Sequence, residues 1–220
     1  VTVEEPKLPS RFVYHILRAV LGLAARILLK QQIVGLENIP KTGAYMVVLN
    51  HLSVLDPPLV FIHVQREMVV FVADKWRNTF FIGWLCETIG AVWVTREEVD
   101  TSAIKTSLAL LRRGQPMGMA PEGTRSPTGQ LQKAKTGCAY LVDRTGVPIV
   151  PVAVTGTEKF GPTIRRLRRT PVRMEVGKPF YLPPNGRAKG PELEAYTEII
   201  MTTLAAMLPP EYRGHYARPG

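Results

Sequence analysis

An α/β domain built on a mainly parallel sheet flanked by helices, preceded by an N-terminal amphipathic helix, is the architecture this sequence predicts. Three observations lead there. From about residue 30 onward, apolar runs of strand length alternate with helix-length stretches, the pattern of repeated strand and helix units. The 220 residues suffice for one domain with a sizeable core, and no long low-complexity stretch divides them. Residues 11 to 30 instead show a helical period, with most cations gathered on one arc.

The N-terminal helix comes first. On a wheel at 100° per residue, Arg11, His15, Arg18, Gly22, Arg26 and Lys30 share an arc of roughly 120°, with Phe12, Ala19 and Leu29 among them. The remaining circumference is apolar, from Val13 and Tyr14 through Ile27 and Leu28. A membrane-spanning helix needs about 20 mostly apolar residues, and an Arg at its centre costs about 2.5–3.5 kcal/mol. Arg18 and Arg26 leave only seven residues between them, so the expected placement is in the plane of a membrane interface, cations at the headgroups. Docking of the apolar face on the domain is the competing expectation. The segment lacks a small-x-small cleavage site, which argues against a removed signal peptide. The chain thus divides into a membrane-interface segment, residues 1–31, and a domain, residues 32–220.

Within the domain, strands are expected at Gln32–Val34, Tyr45–Leu49, Met68–Ala73, Ala91–Thr95, Met117–Ala120, Ile149–Val154 and Val172–Val176. Helices are expected at Pro57–Gln65, Trp76–Thr88, Ser102–Arg113, Ala134–Arg144 and Pro191–Leu208, with Gly114 as a stop signal. Cys86 and Cys138 both lie in apolar contexts, which suits reduced, buried thiols and a cytoplasmic setting better than a disulfide framework. Lys plus Arg number 28 against 18 Asp plus Glu, a formal charge of +10 that favours polyanions such as anionic lipid headgroups, phosphorylated substrates or nucleic acid. The run Arg165-Arg166-Leu167-Arg168-Arg169 lacks interleaved aromatics and any nucleic-acid-binding motif, so nucleic acid is not an expected partner.

Polar residues gather at the strand exits. Asn50-His51-Leu52-Ser53-Val54-Leu55-Asp56-Pro57 follows the apolar run ending at Leu49. Asp56-Pro57 reads as a helix start with Asp as N-cap. If Asp56 turns one oxygen to His51 Nδ1 and the other to the helix amides, the imidazole keeps Nε2 free to accept a proton. Ser53 is not in a Gly-x-Ser-x-Gly elbow, so a serine hydrolase is not indicated. Arg96 ends the strand that starts at Ala91, at the edge where open α/β sheets bind ligands. In Pro121-Glu122-Gly123-Thr124-Arg125-Ser126, Gly123 permits close backbone approach, Thr124 and Ser126 offer hydroxyls and Arg125 can fork onto a phosphate. Glu122 beside that Arg repels an anion unless it aims the guanidinium or bonds a substrate hydroxyl. Val147-Pro148-Ile149-Val150-Pro151 is an apolar wall.

These four segments, in this order and over about residues 30 to 180, resemble the four motif blocks of the glycerolipid acyltransferases, the 1-acylglycerol-3-phosphate (lysophosphatidic acid) acyltransferase family. The resemblance implies an acyltransferase domain behind a membrane-binding helical segment, localised to the cytoplasmic face of the cell membrane. It implies a lysophospholipid acceptor and, as acyl donor, acyl-CoA or acyl-carrier-protein. By the same resemblance His51 is the catalytic base, Asp56 its orienting acid, and Arg96 and Arg125 the phosphate ligands, with Glu122, Gly123 and Thr124 lining that pocket. Lys75, on a looser alignment, or amides around Gly123 would hold the oxyanion. Ala120 stands where the family usually has Phe, which bears on pocket volume. The chemistry fits: a positioned imidazole base contributes about 10²–10⁴-fold to attack by an alcohol. No cofactor or metal is expected, because His15, His63 and His215 show no ligand spacing with acids.

Overall fold

The computed structural model describes residues 11–94 and 100–217. Among the described residues there are seven strands: β1 (Leu29–Val34), β2 (Met46–Leu49), β3 (Val69–Ala73), β4 (Val92–Val94), β5 (Met117–Met119), β6 (Ile149–Thr155) and β7 (Thr170–Val176). The helices are α1 (Arg11–Leu28), α2 (Asp56–His63), α3 (Phe80–Thr88), α4 (Thr101–Arg112), α5 (Gly137–Thr145), α6 (Phe160–Ile164) and α7 (Pro191–Met207). The strands make one sheet in the order β1-β7-β6-β2-β5-β3-β4. Neighbours run parallel except β6 and β7, which are antiparallel.

β2 is buried along its whole length, which is why it reads as a continuous apolar run. Met46 and Val48 face the core shared with α4, α5 and α7. Tyr45, Val47 and Leu49 face the opposite core, where α2 packs through Leu59 and Val60. The result is a sheet between helical layers, and it fixes the exits of β5, β2 and β6 side by side.

Several element ends differ from expectation. β1 begins at Leu29, pairing with Thr170, so the boundary expected after residue 31 falls inside a strand and α1 runs directly into the sheet edge. After β3, residues Asp74–Trp76 form a separate 3-10 turn, and α3 starts only at Phe80. α5 starts at Gly137, because the Ala134 amide donates to Tyr216 Oη (2.9 Å) and the Lys135 amide to Pro121 O (2.9 Å). The short α6 was not expected; five residues are too few to show a helical period.

α1 divides its circumference in two. Inward, Tyr14 and Leu17 pack on Phe61, with Leu85 of α3 and Ile89 just past its end against the same cluster. The Tyr14 and Phe61 rings meet edge-on at 4.8 Å, and Tyr14 Oη donates to Arg66 O at 3.3 Å. Outward, Phe12, Ile16, Val20, Leu23 and Ile27 stay exposed. Arg18 does not join the headgroup-facing cations expected of it: its guanidinium donates to Ile62 O (3.0 Å) and Gln65 O (3.1 Å). Carbonyls at a helix C-terminus lack intrahelical donors and sit at the negative pole, so a neighbouring cation is drawn there. Arg169 does the same for α1, donating to Arg26 O (2.7 Å) and Leu29 O (2.6 Å). Among the described residues, no helix is long and apolar enough to cross a membrane.

Cys86 and Cys138 are free and buried, and burial pushes their thiols up to about 11 and about 12. Tyr14 is the anchor of α1, so Tyr14→Ala is expected to cost about 3–5 kcal/mol, as for other buried aromatics truncated to Ala. Equilibrium urea unfolding measures this; a loss below about 1 kcal/mol would mean that α1 is not docked as described.

Candidate active site

β2 lies between β6 and β5, all three parallel, so their C-terminal ends open on one edge of the sheet. In open α/β sheets this is the edge where ligands bind. Asn50, fully buried at the end of β2, joins its exit to that of β6: Nδ2 donates to Val154 O (2.7 Å) and Oδ1 accepts from Val154 N (2.8 Å).

His51 follows. Its Nδ1 lies 3.1 Å from Asp56 Oδ2, and its side chain is 17 % exposed where Asp56 is wholly buried. The same Oδ2 accepts from the amides of Leu52 and Ser53, both at 2.6 Å. Oδ1 accepts from Thr157 Oγ1. The expected N-cap role of Asp56 is therefore wrong. Leu55 holds the N-cap position of α2, Asp56 is the first helical residue, and its carboxylate bends back to the loop. Pro57 and Pro58 carry no N–H, so the amides that an N-cap would normally satisfy are missing from this first turn. The first main-chain bond of the helix runs from Leu59 N to Leu55 O, 3.0 Å.

Thr157 was not singled out from the sequence. It lies just beyond β6, 1 % exposed, and reaches a carboxylate 101 positions earlier in the chain. Gly156 makes its approach possible: with φ of +89°, a Cβ there would stand 2.2 Å from Pro171 O. The Thr-Gly-Thr string carries no chemical signature of its own; only the pairing of β6 with β2 brings it to Asp56.

The β5 exit closes the other flank. Glu122, expected to line the acceptor-phosphate pocket, is turned inward and 4 % exposed. Its Oε1 accepts from His51 N (3.0 Å) and its Oε2 from Gln132 N (2.9 Å), so it braces the loop instead of facing a ligand. Burial raises its carboxyl above the usual range, and the two amide bonds pull it part of the way back. Ser126, expected to offer a hydroxyl, is also buried: Oγ donates to Gln130 O (2.6 Å) and accepts from Gln130 N (3.0 Å). Its amide donates to His51 O at 2.8 Å, a second bond between the two loops.

Between these inward residues, Gly123 takes φ of +70°, the left-handed region that favours glycine, and Thr124 and Arg125 project exposed from the turn. Ala120 packs partly buried against the core on the α2 side of the sheet. Lys75 stands in the 3-10 turn after β3; its side chain, and the whole of Arg96, lie outside the described residues. The C-terminal segment, unnoticed in the sequence, braces both flanking loops. Tyr212 Oη donates to Glu158 Oε1 at 2.8 Å, and Tyr216 holds the Ala134 amide.

Comparison with known proteins gives the family and the fold. A family model described as Acyltransferase matches residues 30–155. A chloroplast 1-acyl-sn-glycerol-3-phosphate acyltransferase of Brassica napus is 33% identical over 162 residues, 69% of this chain and 45% of that protein. The alpha form from Mus musculus is 29% identical over 154 residues, 67% of this chain and 53% of that protein. The chain thus spans about half the length of these curated relatives. Among solved structures, the 1-acyl-sn-glycerophosphate acyltransferase PlsC of Thermotoga maritima superposes with a TM-score of 0.68 at 27% identity, covering 86% of this chain and 77% of that one. The matched segment holds the His51 and Asp56 loop, the Glu122 to Ser126 turn and all of β6, and it places this chain in the acyltransferase family.

Proposed function

We propose that this protein moves a fatty acyl group from acyl-CoA or acyl-carrier-protein to the free hydroxyl of a lysophospholipid, the sn-2 hydroxyl of 1-acylglycerol 3-phosphate, giving phosphatidic acid. The observation that carries the reading is the His51 and Asp56 pair at the exit of the central strand. Asp56 holds His51 Nδ1, and both carboxylate oxygens are fixed by further donors. Nε2 is then the nitrogen left to act as base. It takes the acceptor's hydroxyl proton as oxygen attacks the thioester carbon. The tetrahedral oxyanion expels the thiolate, which takes the proton back from the imidazolium. The C–S bond is exchanged for C–O with no net proton change, and no protein nucleophile is needed.

The acceptor's phosphate fits the exposed side of the Gly123 turn, where Arg125 offers a fork and Thr124 a hydroxyl, with Arg96, outside the described residues, as the second phosphate ligand that the family resemblance implies. Lys75 or the amides around Gly123 supply the oxyanion donors. The relatives named as 1-acyl-sn-glycerol-3-phosphate acyltransferases support this acceptor.

Such acceptors reside in bilayers, and we infer that α1 brings the site to them. Its exposed row Phe12, Ile16, Val20, Leu23 and Ile27 lies opposite the docked face, flanked by His15 and Arg26. An apolar stripe beside cations suits an interfacial helix. Phe80 and Trp84, exposed on α3, add apolar surface on the helix whose Leu85 packs beside α1.

Thiol release from oleoyl-CoA, with and without lysophosphatidic acid, tests the reaction. His51→Ala and Asp56→Asn are expected to lower acceptor-dependent turnover at least about 10²-fold, and Thr157→Val to lower kcat with little change in either KM. Near-wild-type turnover in His51→Ala would refute the mechanism. For the membrane, Ile16→Glu with Leu23→Glu is expected to abolish sedimentation with anionic vesicles while leaving the circular dichroism spectrum intact; undiminished binding would remove α1 from that role.

A further inference from the structure

One cation near the Gly123 turn has no part in the reading above. After Ser126 closes its turn with Gln130, the chain runs back along the β5 exit. Gln132 N bonds Glu122 Oε2 at 2.9 Å, and Lys135 N bonds Pro121 O at 2.9 Å. These two rungs carry Lys135 over Gly123. A Cβ on Gly123 would lie 3.5 Å from Lys135 Cδ and Cε and 3.8 Å from Nζ. The space that glycine leaves is thus lined by the lysine's aliphatic chain, and its ammonium is delivered to the backbone of the turn.

The charge there is available. Among the described residues, neither Lys135 nor Arg125 stands in an ion pair, and both are exposed. Glu122, the nearest carboxylate along the chain, gives both oxygens to backbone amides. Behind the turn, Ser126 N bonds His51 O, so an anion seated on Gly123 lies beside the loop that bears the base.

We propose that Lys135 is a headgroup-phosphate ligand which, together with Arg125, selects acceptors ending in a phosphate monoester over those with a phosphodiester headgroup. This deepens the acyl-transfer reading and rests on it. A monoester carries about −1.5 to −2 charge at neutral pH and a diester about −1, so a second cation gains more from the monoester. Lysine acts as a compact point charge where Arg125 offers a planar fork, and the pair can engage different oxygens of one phosphate.

The test uses Lys135→Met, which keeps the aliphatic cover over Gly123 and removes the charge, and Lys135→Arg, which restores it. Both are assayed by thiol release from oleoyl-CoA with lysophosphatidic acid or lysophosphatidylglycerol as acceptor. Lys135→Met is expected to raise the KM for lysophosphatidic acid about tenfold or more, leave the KM for oleoyl-CoA within about twofold, and collapse the preference for the monoester. Lys135→Arg is expected to recover most of that preference. An active wild type whose Lys135→Met variant keeps its acceptor KM, or loses both acceptors equally, overturns the Lys135 site alone. A wild type with no acceptor-dependent thiol release overturns the acyl-transfer reading and the site with it.

Discussion

The Asp56 carboxylate, wholly buried, receives the His51 imidazole, the amides of Leu52 and Ser53 and the hydroxyl of Thr157, and the exits of two strands, β2 and β6, have to meet for that to happen. A buried carboxylate without such donors is costly, so the loop after β2 and the turn after β6 are constrained together. The Asn50 bonds to Val154 hold the two exits in register, and the left-handed Gly156 aims Thr157. Glu122 performs the matching task from the β5 side by holding the His51 amide. The imidazole is thereby fixed at its ring, through Asp56, and at its backbone, through Glu122 and Ser126.

This division of labour explains why so many polar residues at the site face inward. Asn50, Asp56, Glu122, Ser126 and Thr157 are all buried and joined to backbone or to one another, whereas His51, Gly123, Thr124 and Arg125 keep access to solvent. The reactive surface is small, and a rigid polar layer lies beneath it. Such preorganisation costs nothing further at the moment of reaction, which is the condition that the proposed base and phosphate seat require. α1 completes the arrangement by committing one face to Phe61 and leaving the other apolar and exposed.

The fold was largely readable because the inner strands are buried on both faces and announce themselves as short apolar runs; β2 is the clearest case. The antiparallel placement of β7 against β6 was not readable, since strand direction depends on the path between them. His51 and Asp56 were visible as a local pair, five residues apart, but the second oxygen of Asp56 was assigned to its own helix when it belongs to Thr157. The adjacent prolines, which remove the helix amides, were the available signal. Thr157 and Lys135 escaped notice for one reason. Each acquires its role from a contact across the chain, with Asp56 and with Gly123, and neither has a motif to advertise it.

The central claim is that Asp56 fixes His51 with its proton on Nδ1 and Nε2 free, and nitrogen-15 NMR of the histidine-labelled protein reads this directly. Assigned by comparison with His51→Ala, the neutral His51 ring is predicted to show a protonated Nδ1 and an unprotonated Nε2, and to lose that single tautomer in Asp56→Asn. A ring protonated on Nε2, or a tautomer mixture that Asp56→Asn leaves unchanged, would contradict the account.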